Sequence, residues 1–143
     1  ELLEAALEMA RKSAGRKSLD VEMTGTDQAP DVFVDAEQVT RAVGNIAANA
    51  LQAYKQHQKA PVRIDCSAAE DTVSIRISDT GCGMDAETLA KATQPFFSFC
   101  PAGRRRGMGL ALAQRLLELN AGTLKITSEP GRGTTVTITL LKA

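Results

Sequence analysis

The sequence predicts an α+β domain, a two-layer sandwich in which three main helices cover one face of a mixed β-sheet. Three observations lead to this fold class. The chain of 143 residues suits one domain, because a chain of this size buries about two-thirds of its unfolded surface. Apolar residues recur in some segments at three- and four-residue steps and in others at every second position. The segments follow one another as helix, strands, helix, hairpin, helix and hairpin, an order that favours helices layered on a sheet.

The composition argues against several classes of protein. Lys plus Arg and Asp plus Glu number 17 each, and the sequence pI is about 6.9, which gives no general attraction to nucleic acid or to an anionic membrane. No apolar run approaches the ~20 residues of a membrane span, and no signal-peptide pattern opens the chain. Cys66, Cys82 and Cys100 form no CxxC pair. We therefore expect free thiols, a cytoplasmic location and no direct membrane contact.

The first predicted elements are a helix, a strand and a short strand. Helical spacing indicates an amphipathic helix that ends by Gly15; its apolar residues are Leu2, Leu3, Ala6, Leu7 and Ala10. Alternation with polar residues predicts a strand that includes Leu19, Val21 and Met23. A short apolar strand over residues 32–34 leads into the next helix, and Asp35 is in position to cap that helix.

The central predicted helix covers residues 35–57. Its apolar residues form one stripe at the helical period: Val39, Val43, Ile46, Ala47, Ala50 and Tyr54. Asn45 and Asn49 stand beside this stripe, one turn apart on one face. Asn is a mediocre helix former, so the pair requires a reason. From this helix alone the two amides are either solvated surface groups or ligands.

A hairpin and a short helix follow the central helix. Pro61 prevents continuation of the helix, and alternating residues predict strands over 62–66 and 72–78. The second strand leads directly into Asp79, Gly81 and Gly83. A short helix is predicted over residues 85–91, and residues 93–106 show no period and are predicted to form a long loop.

The last elements are a helix and a hairpin. The helix is predicted to begin at Gly107 and to end near residues 120–122, where Gly122 can adopt the left-handed conformation that stops a helix. Two closing strands, around residues 124–126 and 136–140, are joined through residues 129–133.

Two glycine-bearing segments have the chemistry of a nucleotide site. An ionised Asp79 accepts hydrogen bonds only, which suits the exocyclic amine of adenine, although an aspartate before glycine also forms ordinary turns. Gly107 and Gly109 stand at a helix start whose free N–H groups favour an anion such as phosphate; the alternative is a flexible helix start. The three arginines at 104–106 either face phosphate or form a solvated run. The amides of Asn45 and Asn49 suit Mg²⁺ beside phosphate oxygens.

Taken together, these segments resemble the catalytic domain of sensor histidine kinases, in the superfamily that shares the Bergerat ATP-binding fold. Similar boxes occur in order along essentially the whole chain. They are Asn45-x-x-x-Asn49-Ala50, Asp79-x-Gly81-x-Gly83, Pro95-Phe96-Phe97, Gly107-x-Gly109-Leu110 and Gly131-x-Gly133-Thr134. The wording of the boxes is most similar to nitrogen-regulator-like kinases.

The resemblance implies specific roles. ATP would be bound by residues Asn49, Asp79, Gly81, Gly83, Phe97, Arg106, Gly107, Gly109, Leu110 and Thr134. Mg²⁺ would be held at Asn49 and Asn45, which are also the implied catalytic residues. The loop before Gly107 would be a mobile lid. Family members often carry a glycine at the position of Ala111 and a basic residue at that of Gln52, so this chain departs from the family pattern there.

The resemblance also implies the reaction. Relatives of this fold that hydrolyse ATP carry a Glu base at the position of Asn45, and a carboxamide cannot take a proton from water. This favours transfer of the γ-phosphoryl group to a histidine and then to a response-regulator aspartate. His57, the only histidine, lies at the far end of the central helix, so the acceptor is expected on a separate dimerisation domain. Residues 1–143 are then expected to be a monomeric catalytic domain from a longer protein. The alternative is a non-catalytic nucleotide-binding or docking module.

Overall fold

A computed structural model of the chain describes residues 2–14, 21–25, 30–56, 61–81, 83–93 and 109–143. The elements within these ranges are α1 (Leu2–Ala14), β1 (Val21–Thr24), α2 (Ala36–Gln56), β2 (Val62–Ala68), β3 (Thr72–Ser78), α3 (Ala86–Lys91), α4 (Gly109–Leu119), β4 (Thr123–Glu129) and β5 (Gly133–Leu141). Their order agrees with the predicted order, and three long helices accompany the sheet.

The sheet is mixed, as predicted. Its strands lie in the order β1-β2-β3-β5-β4. β1 pairs with β2 in parallel, whereas the other three pairs are antiparallel. Both predicted hairpins are present; the β2–β3 turn is closed by a 2.8 Å bond from Ala69 N to Thr72 O. The β3–β5 pairing places the end of β3, and therefore Asp79, beside the start of β5.

The two faces of the sheet differ sharply in polarity. The strand register aligns Ile64, Ile77, Val136 and Ile126 in one row across four strands, on the face that packs against α1, α2 and α4. The row on the opposite face is polar and consists of Thr24, Asp65, Arg76, Thr137 and Lys125. Because successive side chains of a strand point to opposite faces, the apolar row faces α1, α2 and α4 and the polar row points away from them. The two-layer α+β architecture is thus confirmed.

The central helix α2 is set in place by its cap and by its apolar stripe. Asp35 Oδ1 accepts a 3.0 Å bond from Gln38 N, so the predicted cap is present. The stripe from Val39 to Ala50 is buried, as its spacing predicts. A Cβ at Gly44 would lie 3.2 Å from Ala6 O, a main-chain atom of α1, so a larger residue there would crowd the contact between the two helices. The helical spacing of the apolar residues gives no sign of that role.

Two local predictions were wrong. The segment 32–34 is not a strand but makes a single bridge between Val32 and Lys142. At the end of α4 the left-handed residue is Ala121, with φ 56°, and not Gly122. Gly122 N donates a 2.8 Å bond to Leu117 O, which closes the helix end. A Cβ at Gly122 would lie 3.0 Å from Thr139 O, so a larger residue at this position would crowd β5.

Candidate functional site

Asp79 follows the last residue of β3 and is bonded to the start of β5. Its main-chain N–H donates a 2.9 Å bond to Thr134 O. Its carboxylate Oδ1 accepts bonds from Gly81 N at 2.9 Å and from Thr134 N at 3.3 Å. Neither of these two side-chain bonds uses Oδ2. The carboxylate is therefore held by two segments, the turn that follows β3 and the start of β5.

The environment of Asp79 opposes and supports its charge at once. Burial raises the pKa of the Asp79 carboxyl above its ordinary value, because a low-dielectric surrounding penalises the ionised form. The N–H bonds from Gly81 and Thr134 lower the pKa and offset part of that increase. Main-chain N–H groups can only donate, so they stabilise an ionised side chain that acts as an acceptor.

Two glycines allow the turns around Asp79 to approach each other. Gly83 has φ +69° and Gly133 has φ +115°, both in the left-handed region that favours glycine. A Cβ on Gly83 would overlap Glu129 O, and one on Gly133 would overlap Asp79 O. Any other residue at either position would push the two segments apart. This explains why glycine occupies both of these positions in the predicted nucleotide boxes.

Ser128 connects the same two segments through its hydroxyl group. Ser128 Oγ accepts a 2.8 Å bond from Met84 N and donates a 3.0 Å bond to Gly133 O. It also lies 2.8 Å from Thr134 Oγ1. The turn after β3 is thus joined to the start of β5 by a side chain of β4.

Asn120 aligns the two helices beside this turn. Its Oδ1 accepts a 2.7 Å bond from Asp35 N at the start of α2, and its Nδ2 donates to Gln38 Oε1 at 2.9 Å. Nδ2 also donates a 2.8 Å bond to Leu116 O in α4. Asn120 follows the end of α4, and its partners Asp35 and Gln38 lie at the start of α2. Because α2 and α4 also pack against each other, the two helices run antiparallel.

The antiparallel arrangement brings the start of α4 level with the asparagine pair. Gly109 lies eleven residues before Asn120, and Asn49 lies eleven residues after Gln38. At 1.5 Å per residue each distance is about 16 Å along its helix. Leu110 is buried in the same core as Ile46 of α2. Asn45 and Asn49, both half-buried, therefore lie near the level along α2 at which the described part of α4 begins.

The structure therefore describes two parts of the predicted site. Asp79, Gly81, Gly83 and Thr134 form one turn assembly. Asn45 and Asn49 on α2, and Gly109 and Leu110 at the described start of α4, lie at a similar level along the two antiparallel helices. Phe97, Arg106, Gly107 and the only histidine, His57, lie outside the described residues.

Ser128 and Asn120 were not predicted as parts of the site. Ser128 lies on the half-buried side of β4, the side that also carries Leu124 and Ile126. A serine at an apolar position of the alternation was therefore a signal in the sequence, but it does not indicate which distant group the hydroxyl binds. Asn120 was identified only as part of a helix end.

Residues 34–143 match the family described as "Histidine kinase-, DNA gyrase B-, and HSP90-like ATPase". The chain belongs to this ATPase family. The matched range contains α2, the Asp79 turn, α4 and the closing hairpin, so both described parts of the site fall within the family's domain. The mixed sheet covered by helices on one face is the Bergerat fold of these ATPases.

Several relatives of this ATPase domain are kinases by name. The chain is 28% identical over 139 residues to the sensor histidine kinase ZraS of Escherichia coli K12, covering 97% of this chain and 29% of that protein. It is 31% identical over 140 residues to the signal transduction histidine-protein kinase AtoS of the same strain, covering 97% and 22%. It is 33% identical over 129 residues to sporulation kinase B of Bacillus subtilis 168, covering 89% and 29%. The chain thus spans less than a third of the length of these relatives.

Within the described ranges, every helix is too short or too polar to cross a membrane.

Proposed function

We propose that this domain binds MgATP and transfers the γ-phosphoryl group to a histidine on a separate dimerisation domain. The observation that carries the proposal is the Asp79 turn, in which main-chain N–H groups hold a carboxylate as a hydrogen-bond acceptor. Membership of the ATPase family and similarity to proteins named histidine kinases support it.

Asp79 is the proposed adenine ligand. Adenine has an exocyclic amine with two protons, whereas guanine carries an oxygen at the same ring position. An ionised carboxylate accepts a bond from the amine and repels the oxygen. Gly81, Gly83 and Thr134 hold the carboxylate in place, and Gly83 lets the main chain turn closely enough to do so.

The start of α4 is the proposed phosphate site. The first N–H groups of a helix lack partners within the helix, and the helix dipole favours negative charge there. Asn45 and Asn49 lie at a similar level on α2, and neutral amide oxygens fit Mg²⁺ when phosphate oxygens supply the negative charge. Mg²⁺ bound there would neutralise charge on the phosphates. Phe97, Arg106 and Gly107 are proposed as nucleotide contacts of a lid before α4.

The reaction needs two further proteins or domains. The acceptor histidine would lie on a dimerisation domain of the same longer protein, and the phosphoryl group would pass from it to an aspartate of a response-regulator receiver domain. Imidazole is nucleophilic as it stands, so positioning and charge neutralisation suffice for the transfer. Residues 1–143 would then be the catalytic domain alone, monomeric when isolated.

Calorimetric titration with a non-hydrolysable ATP analogue tests the nucleotide site. We expect micromolar binding that strengthens with Mg²⁺ and weakens at least tenfold in Asp79→Asn, because Asn places an NH₂ donor or a weaker acceptor against the amine. Asp71→Asn is the matched control, since Asp71 lies in the exposed turn at the opposite end of β3. The folded wild-type chain failing to bind, or Asp79→Asn binding as tightly as Asp71→Asn, would contradict the proposal.

Transfer of labelled phosphate to a supplied dimerisation domain tests the kinase step. We expect label on the acceptor histidine with wild-type chain and a loss of at least tenfold with Asn49→Ala, because the metal-bridged phosphates lose a ligand. Persistent ATP binding without transfer to any cognate acceptor would instead support the docking module.

A further inference from the structure

The hydroxyl groups of Ser128 and Thr134 form a network whose protons can be assigned from the contacts. Ser128 Oγ contacts Met84 N, Gly133 O and Thr134 Oγ1 at 2.8, 3.0 and 2.8 Å. A serine hydroxyl has one proton to donate and can accept two bonds. Met84 N–H can only donate and Gly133 C=O can only accept, so the serine proton goes to Gly133 O. Thr134 must then donate its own proton to Ser128 Oγ.

This assignment fixes the polarity of Thr134. With its only hydroxyl proton committed to Ser128, Thr134 Oγ1 can offer nothing but lone pairs to a ligand. Thr134 is half-buried and its main-chain N–H binds the Asp79 carboxylate, so its hydroxyl belongs to the same small region. Two neighbouring side chains can therefore only accept hydrogen bonds from a ligand. Asp79 does so because its carboxylate is ionised, and Thr134 because its hydroxyl proton is donated to Ser128.

We propose that Ser128 is a specificity-positioning residue, which fixes the Thr134 hydroxyl as an acceptor toward the group at purine position 6 and so selects a 6-amino over a 6-oxo purine. The inference rests on the proposed adenine site and extends it. Ser128 itself is turned toward Met84 and Gly133 and acts through Thr134. Without Ser128 the threonine hydroxyl is free to rotate and to donate its proton to a 6-oxo group, so discrimination between the two purines falls.

Competition between ATP and inosine triphosphate tests this role. The two nucleotides share the triphosphate and differ at the purine 6 position and in the N1 proton that accompanies the oxo group. We expect wild-type chain to prefer ATP by at least tenfold, and Ser128→Ala to reduce the ratio of the two affinities severalfold. Ser128→Thr, which keeps a hydroxyl group, should restore most of the ratio. Thr127→Ala is the control, because Thr127 is exposed on the adjacent position of β4.

A merely structural role for Ser128 makes a different prediction. It would weaken both nucleotides by the same factor and leave the ratio unchanged, and that result would overturn the proposal. In a Thr134→Val background, Ser128→Ala should leave the ratio where Thr134→Val puts it, because both changes act through one hydroxyl. An additional, independent change in the ratio would also overturn it. If Ser128→Ala does not fold, Ser128→Thr still tests the proposal, because it keeps the hydroxyl group. A folded Ser128→Thr variant that no longer discriminates between the two nucleotides would contradict the proposal.

The outcome also separates this inference from the function on which it rests. If wild-type chain binds neither nucleotide, or binds both equally, the adenine site itself is wrong and the inference is overturned with it. If wild-type chain discriminates and Ser128→Ala discriminates as well as Thr127→Ala, the adenine site stands and only the role of Ser128 is wrong.

Discussion

At the scale of single residues, Asp79 combines two opposing effects. Burial raises the pKa of its carboxyl, and two main-chain N–H groups limit the increase. A carboxyl whose pKa is higher in the folded than in the unfolded chain makes the folded state bind more protons between those two values. The contribution of Asp79 to stability is therefore largest at low pH and falls as the pH rises from about 4 through the raised pKa.

Asp79→Asn should remove this dependence on pH. We expect the melting temperature of the variant, relative to that of the wild-type chain, to rise between about pH 4 and pH 7 in the absence of nucleotide, because only the wild-type side chain becomes a buried charge. Circular dichroism melts at a series of pH values give the comparison. Asp71→Asn, an exposed change, is the matched control. A difference for Asp79→Asn that decreases with pH would contradict the assignment.

At the scale of elements, Asn120 joins two helix ends that the chain separates by 85 positions. It provides an acceptor to the start of α2 and donors to Gln38 and to the last turn of α4. One side chain therefore satisfies main-chain groups that neither helix satisfies alone. The relative placement of α2 and α4, on which the second part of the candidate site depends, follows from this residue and from the buried contacts between the helices.

Asn120→Ala should be measurably destabilising. Loss of a cap with its accompanying bonds costs about 1–2 kcal/mol, which for a domain of this size lowers the melting temperature by about 3–8 °C. Thermal unfolding followed by circular dichroism measures the shift. Leu119→Ala is the matched control, because Leu119 is the preceding residue and its side chain is 57% exposed. Equal decreases in melting temperature in the two variants would contradict this expectation, because they would mean that water replaces the hydrogen bonds of Asn120 without loss of stability.

The elements show where sequence patterns suffice and where they do not. The stripe on α2, the Asp35 cap and the two hairpins depend on spacing and on neighbours within a few residues, and these predictions were confirmed. The glycines that follow Asp79 were recognised because glycine is the residue that allows a sharp main-chain turn, which is a local property of the sequence. Ser128 was missed because its partner Met84 lies 44 positions away. Gly122 was misassigned because its main chain is not left-handed; a Cβ there would instead crowd Thr139 O of β5 and Leu117 O of α4, at 3.0 and 3.2 Å.

At the scale of the whole molecule, α1 lies outside the range matched to the family, yet it forms part of the same core. Ala6, Leu7 and Ala10 are buried against α2, where Gly44 permits close approach. The relatives ZraS and AtoS align over 97% of this chain, a range that includes α1. We infer that the independently folding unit begins earlier than residue 34.

Removal of residues 1–14 should therefore abolish cooperative folding. The deletion exposes apolar surface of α2 worth several kcal/mol, which is comparable to the 5–15 kcal/mol by which whole domains are stable. We expect a broad thermal transition and strong binding of a hydrophobic dye. Glu8→Ala, an exposed change on α1, should leave the full chain cooperative. A truncated chain that melts sharply at the wild-type temperature would contradict this expectation.

The bonds of Asn120 also determine where α4 can move. They hold the helix at its final turn, about 16 Å from Gly109, so a tilt of α4 would rotate the helix about Asn120. A tilt of about 5° displaces Gly109 by about 1.4 Å but moves Leu117, close to Asn120, by only about 0.4 Å. Such a tilt would therefore move mainly the start of α4, where phosphate is proposed to bind, and would largely preserve the buried contacts of Leu117.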